Sequence, residues 1–209
     1  MNRRQECKGM AEQELNRRQE CERKKEIENI KKDCLRYFRQ SPVWKKVLEG
    51  FSEEHHIVQI PLAVLVDWKE LHCPQSEIYI VENPSVFAVL CGKKNVNNTG
   101  TAYMCMNGQP RLAGLMVLDL LAKSGTKIYY SGDLDPEDIL IAQKLSRYYK
   151  GEFHYWHMDE EDYEICKSDE KISQRRMKML ERITDERLKP LVKAIEEYGT
   201  SGYQEKLLS

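Results

Sequence analysis

Hydrophobic and polar positions follow two different grammars along this chain, with the change near residue 56. From Asn2 to Gln40, Glu, Lys, Arg and Gln dominate, no proline interrupts, and apolar residues are sparse: Met10, Leu15, Ile27, Ile30, Leu35 and Phe38. The segment predicts one long charged helix, weakened by Gly9 in its first turns. Its apolar positions are too few for a sustained a/d seam. Residues 2–7 (NRRQEC) recur verbatim at 16–21, a spacing of 14, or two heptads. A solvated helical arm is the main expectation, with a coiled-coil surface for self-association as the alternative. Ser41-Pro42 ends the arm, Ser41 serving as N-cap and Pro42 as the first position of a short helix through Phe51.

From His56 onward short β-like runs alternate with amphipathic stretches. IVQI (57–60) predicts a strand and Leu62–Leu71 a helix. EIYIV (77–81) is a strand, and Asn83-Pro84 opens a helix to about Cys91, followed by a loop over 92–100. TAYMCM (101–106) is a strand, NGQP (107–110) a turn, and Arg111–Lys123 a helix ending at Gly125. TKIYYS (126–131) is a strand, GDLD (132–135) a turn, Pro136–Tyr149 a helix, and EFHYW (152–156) a strand. Helices are expected after it, the clearest over Asp185–Tyr198, with a short one near Tyr203–Leu208. Helical connections of this length force parallel pairing with covered sheet faces. The expected organisation is a charged helical arm over 1–52, an α/β domain with a mostly parallel sheet and helices on both faces over 53–168, and a C-terminal helical extension over 169–209.

Composition removes several function classes. No apolar run approaches the roughly 18–20 residues of a membrane span, and the charged N-terminus lacks the apolar stretch of a secretory signal. Seven scattered cysteines, none at zinc-site spacing, read as free thiols of a cytoplasmic protein. The net charge of −1 hides an asymmetry: residues 1–50 hold 14 Lys and Arg against 9 Asp and Glu, and the remainder 19 against 25. Between Asp133 and Glu170 there are 12 acids and 4 Lys or Arg. A surface so acidic repels phosphate unless cations intervene.

The acids fall at informative places. In parallel sheets functional residues collect beyond the C-terminal strand ends. Strand 77–81 runs directly into Glu82-Asn83, strand 101–106 into Asn107-Gly108, and strand 126–131 into Gly132-Asp133-Leu134-Asp135. Asp133 and Asp135, at i and i+2, point the same way on an extended backbone. If the strands are neighbours, three carboxylates converge on one rim, and they stay ionised together only beside a cation. An all-oxygen set suits Mg2+ or Mn2+. The structural alternatives are that Asp135 caps the helix opened by Pro136 and that Glu82 is a solvated turn residue.

These motifs resemble a known family. IYIVENPSVF (78–87), CMNGQPRLA (105–113), IYYSGDLDPEDILIA (128–142) and HYWHMDEEDYE (154–164) are similar, in order, to the C-terminal TOPRIM region of the Wadjet nuclease subunit JetD and of related bacterial proteins. The resemblance extends less fully to the tail YQEKLL (203–208), and more distantly to the A subunit of topoisomerase VI. It implies a TOPRIM, Rossmann-like fold in which Glu82 is the TOPRIM glutamate and Asp133 and Asp135 its Asp-x-Asp. By the same resemblance these three are catalytic residues and metal ligands, the activity is Mg2+-dependent DNA phosphodiester hydrolysis in plasmid or phage defence, and the partners are DNA and SMC-like subunits. Two positions depart from the pattern: Glu137-Asp138 adds charge beside the Asp-x-Asp, and His157 stands where an Arg is usual. No counterpart of the topoisomerase tyrosine and no winged-helix pattern is present; Tyr37 reads as an ordinary helical residue.

Around this set, Asn83, Lys93, Lys94, Asn107, Gln109, Gly132 and His157 are candidate substrate contacts. Lys93-Lys94 with Asn95, Asn97 and Asn98 form a polar loop expected near the rim. His154 and His157, with Asp159 and Asp162, either extend the site or cap the next helix, while His55-His56 reads as polar loop. Tyr79, Phe87, Tyr103, Tyr129 and Tyr155 read as core. Two functions remain open: a Mg2+-dependent nuclease, on DNA or RNA, and an assembly subunit that uses the fold without catalysis.

Overall fold

The computed structural model describes residues 57–94 and 101–207. The charged arm, its heptad-spaced repeat, His55-His56 and the asparagine loop at 95–100 lie outside the described residues. The chain divides into two compact units, 1–68 and 69–209.

In the first unit the described part is short. Residues 57–60 form no regular element and join no strand ladder among the described residues, which corrects the expected strand. Four mostly apolar residues are a weak signal, and Pro61 directly behind them removes a donor and restricts Ile60. The helix expected over 62–71 is a single turn, α1 (Leu62–Leu65). A one-turn helix makes few bonds for the dihedrals it fixes, so nothing in these residues propagates it.

The second unit carries the α/β fold. Strands β1 (Glu77–Val81), β2 (Ala102–Cys105), β3 (Lys127–Ser131) and β4 (Phe153–Tyr155) form an all-parallel sheet in the order β2-β1-β3-β4. Helices α2 (Pro84–Lys94), α3 (Leu112–Lys123) and α4 (Pro136–Tyr148) connect them. The expected α/β class with a parallel sheet and surrounding helices is therefore what the chain adopts. β1 is central, with Tyr79 opposite Tyr103 on one side and Tyr129 on the other.

Alternation along the strands builds two layers. Ile78, Ile80, Ile128 and Tyr130 point to one face and join Leu118 and Leu121 of α3 and Ile139 of α4 in the main core. Val81 points the other way and packs with Val86 and Leu90 of α2. On that second face Tyr79 stacks on Tyr129 at 4.8 Å and Tyr129 on His154 at 4.9 Å, with Tyr103 beside Tyr79 at 5.7 Å. The rings stack on one another and stay half-buried, so their faces are already occupied.

The segment after β4 contains strands that the hydrophobic pattern did not predict. α5 (Glu160–Cys166) leads into β5 (Lys167–Lys171), which pairs antiparallel with β6 (Thr200–Gly202). Between them lie α6 (Gln174–Met177) and α7 (Lys189–Tyr198), the latter ended by Gly199 at φ 68° as a left-handed cap. Ile172, Leu180, Ile183, Leu188, Leu191 and Ile195 belong to the main core. A two-way bridge joins Leu134 and Gly202, with both N–H···O bonds at 2.9 Å, and so the chain's last turn (Gln204–Leu207) is held beside the residues that follow β3. No disulfide joins the four described cysteines. Among the described residues no helix is long and apolar enough to cross a membrane.

Candidate functional site

The parallel ladder between β1 and β3 runs to its last residue, and the site begins there. The Glu82 N–H donates to the Ser131 carbonyl at 3.2 Å, so Glu82 leaves the sheet directly beside Gly132. A Cβ at Gly132 would lie 3.2 Å from Glu82 Oε2 and 3.6 Å from both Asp138 Cβ and the Tyr130 hydroxyl. The glycine's use here is space: its missing side chain lets the Glu82 carboxylate lie over the backbone. Asp138 is on the first turn of α4 and its carboxyl shares a hydrogen bond with that of Glu82. Tyr130 Oη is buried and has no hydrogen-bond partner among the described residues.

The two aspartates of the turn have different attachments. Asp133 Oδ1 accepts the backbone N–H of Gln204 at 2.9 Å, and the Gln204 amide donates to Ser131 Oγ. Asp135 is the N-cap of α4, accepting the Asp138 N–H at 3.0 Å. Its other oxygen takes Arg176 Nη2 at 2.6 Å, and the same guanidinium donates through Nε to both oxygens of Glu137 at 2.9 and 2.8 Å. The capping role weighed for Asp135 is thus realised, and it coexists with a place among the acids.

Burial and mutual repulsion push these groups up. Asp133 rises from 3.8 to about 6, chiefly through burial, with Glu205, Asp135 and Glu82 adding repulsion against the Gln204 bond. Asp138 rises to about 9 through burial, the charge of Asp135 and its hydrogen bond to Glu82, so it is the proton-bearing partner at neutral pH. Burial raises Glu82, while the bond from Asp138 opposes the rise. Burial raises Asp135 too, opposed by the Asp138 N–H and Arg176. Tyr130 sits well above 10 because it is buried among Glu82, Asp138, Asp133 and Cys105.

The remaining sequence candidates divide. Asn83 stays at the rim, its Oδ1 accepting the Ser85 N–H at 2.8 Å and its Nδ2 donating to Glu205 at 2.5 Å. Asn107 at φ 55° and Gly108 at φ 85° form the turn after β2, and the Gly108 N–H reaches the Glu82 carbonyl at 3.4 Å. Asn107 and Gln109 are exposed beside that turn. Lys93 and Lys94 are the last two residues of α2, which starts at the rim and runs for 11 residues, about 15 Å along its axis. His157 follows β4 on the same rim, with Nδ1 2.9 Å from Asp162. His154 lies within the sheet, paired with Glu152 at 2.7 Å, and Asp159 caps α5 through the Asp162 N–H at 2.8 Å.

Asp138, Arg176, Gln204, Glu205 and Tyr130 were not singled out from sequence. Asp138 showed only as excess charge, whereas Arg176 and Gln204 arrive from 41 and 71 residues away in sequence. Among the described residues no three His, Cys, Asp or Glu side chains are arranged to hold an ion directly. The donor set still fits a hard cation. Half-buried carboxyls that repel one another lie around a buried hydroxyl with no hydrogen-bond partner among the described residues, and Mg2+ commonly takes one or two carboxylates and keeps water for the rest. Glu82, Asp133 and Asp135 are the residues that could hold it.

A family described as "Protein of unknown function C-terminus (DUF2399)" matches residues 58–209, most of the chain. No curated protein matches.

Proposed function

The chain belongs to the DUF2399 family, and from the geometry of its site we propose that the rim of β1 and β3 is the centre of a Mg2+- or Mn2+-dependent phosphodiesterase acting on DNA. One observation carries the reading: the Glu82 carboxylate lies over Gly132 against Asp138 and the partnerless Tyr130 hydroxyl, with Asp133 and Asp135 following directly. A fold gains nothing from crowding half-buried, repelling acids around a buried, unsatisfied hydroxyl, so the arrangement makes sense as one half of a site.

When bound, the cation supplies the positive charge that lets a phosphate approach these acids and offsets charge building on its oxygens. Asp133 and Asp135 would hold it, Asp133 being fixed by the Gln204 N–H and Asp135 by Arg176. Glu82 takes the proton of an attacking water, its basicity raised by burial. Asp138, which carries a proton at neutral pH, keeps Glu82 oriented through their shared hydrogen bond. Asn83, Asn107 and Gln109 are the polar side chains of the rim available to phosphate oxygens.

The resemblance to the TOPRIM region of the Wadjet nuclease subunit JetD gives this reading its substrate, DNA, and its partners, SMC-like subunits in a defence complex. Backbone affinity then comes from such a partner or from the basic N-terminal residues, since the rim itself is acidic. A second reading has its own observation. Arg176 already neutralises Asp135 and Glu137, as it would in a module that uses the fold for assembly alone. Incubating the purified chain with plasmid and Mg2+ or Mn2+ separates the two. Nicking that EDTA stops and Asp133→Asn abolishes supports the phosphodiesterase; nicking unaltered by Asp133→Asn, or none with either ion, leaves the assembly module.

A further inference from the structure

The fourth strand ends in a strained residue that the acidic site does not use. His157 has φ 53°, a left-handed conformation that an L side chain adopts at a cost and that glycine or asparagine accepts more readily. Its neighbours hold it there. Nδ1 is 2.9 Å from Asp162 Oδ1, and the ring lies 4.7 Å from that of Trp156, which packs edge-on against Tyr79 at 4.9 Å. Asp162 is the better buried partner, with 15% of its side chain exposed against 38% for the imidazole. A fixed carboxylate on Nδ1 sets the ring's orientation and leaves Nε2 as the nitrogen that can act.

The pair adjoins the acids. The Trp156 N–H donates to the Tyr130 carbonyl at 2.8 Å, so β4 stays beside β3 to its end and His157 leaves the sheet one strand over from Gly132. Asp162 and Asp133 both act on the buried Cys166 thiol. Glu82 therefore borders the turn after β3 from the β1 side, and His157 borders it from the β4 side. Strain kept at a strand end by a carboxylate and an aromatic ring points to a function for that side chain.

We propose that His157 is a catalytic residue of this rim, giving its Nε2 proton to the leaving sugar oxygen, with Asp162 as its positioning residue. The inference rests on the phosphodiesterase reading above. In the step, the water oxygen bonds to phosphorus as the bond from phosphorus to the sugar oxygen breaks. One water proton passes to Glu82 and the imidazolium proton to the departing oxygen. Solvent then returns a proton to the ring as Glu82 releases one.

The test compares two diesters cleaved by the full chain: DNA, whose sugar oxygen needs a proton to leave, and bis(4-nitrophenyl) phosphate, whose nitrophenolate does not. His157→Gly should melt at or above the parent, because its backbone is relaxed, and should bind Mn2+ as the parent does. It should lose about 10²–10⁴-fold on DNA and less than about tenfold on the nitrophenyl diester. Asp162→Asn should show the same substrate split with a smaller loss. His157→Asn, which tolerates the same backbone, gives the same reading if the glycine variant fails to fold. DNA cleavage within about threefold of the parent, or equal losses on both diesters, overturns the assignment while leaving the phosphodiesterase intact. A parent that cleaves neither diester with Mg2+ or Mn2+ overturns both.

Discussion

Asp133 and Asp135 stand two residues apart in the same turn and answer to different partners, so the same substitution should affect them differently. At Asp133 the charge is opposed by Glu205, Asp135 and Glu82. Asp133→Asn keeps an oxygen for the Gln204 N–H and should raise stability without metal by about 1–2 kcal/mol, once solvent screening is discounted. At Asp135 the cap survives in Asn, but the ion pair to Arg176 does not, so Asp135→Asn should melt no higher than the parent. Thermal melts in EDTA check both, and equal shifts would contradict the assignment of partners. The acids also set a pH slope. Asp133 at about 6 and Asp138 at about 9 bind protons more tightly folded than unfolded. Their contribution is complete below about pH 4 and is lost as pH rises through those values. Denaturant titrations in EDTA at pH 5, 7 and 9 should show falling stability, with the upper part of the slope flattened by Asp138→Asn. A rise over that range would contradict the site's electrostatics. Glu82, Asp133 and Asp135 were legible in sequence because strand ends are. The use of Asp138 was not, because its partner Glu82 is remote in sequence and meets it only over the bare backbone of Gly132.

Elements were legible where periodicity was strong and obscure where pairing is set from elsewhere. The four parallel strands and the helices between them announced themselves through alternation and amphipathic spacing. β5 and β6 did not: KSDEK is polar and mostly exposed, TSG is three small residues, and their pairing depends on remote bonds such as that from Ser168 Oγ to the Ser201 carbonyl at 2.8 Å. The short β-like run IVQI, in contrast, suggested a strand that finds no partner among the described residues. Two glycines test what the elements do for the site. A Cβ at Gly202 would meet Cys166 Sγ at 2.8 Å and Leu134 Cβ at 3.1 Å. Gly202→Ala should therefore cost about 1–3 kcal/mol and lower the melting temperature by several degrees. At Gly132 the nearest atom is the end of the Glu82 side chain, which can shift. Gly132→Ala should melt near the parent yet weaken Mn2+ binding, as read by calorimetry. Matching melting losses in the two variants would argue that Gly132 serves the fold rather than the site.

For the whole molecule, charge and topology give a consistent account. The sheet brings Glu82, the Gly132–Asp135 turn and His157 to one rim, and the last turn of the chain closes against that rim through Gln204 and Glu205. The basic surplus lies in residues 1–50, outside the described part, and the acidic surplus lies in the remainder, which holds the site. A site of this kind binds a polyanion only after its own charge is offset. Whether the acids of the rim are held together for a divalent cation is tested most directly by calorimetric titration of Mn2+ into the full chain at neutral pH. Run in two buffers of different ionisation enthalpy, the titration also counts protons. Saturable binding with proton release is expected, because a cation among these acids displaces the proton that Asp138 retains. Asp133→Asn should remove the binding. Absence of binding by the parent, or binding by Asp133→Asn equal to the parent's, would contradict the cation-site reading.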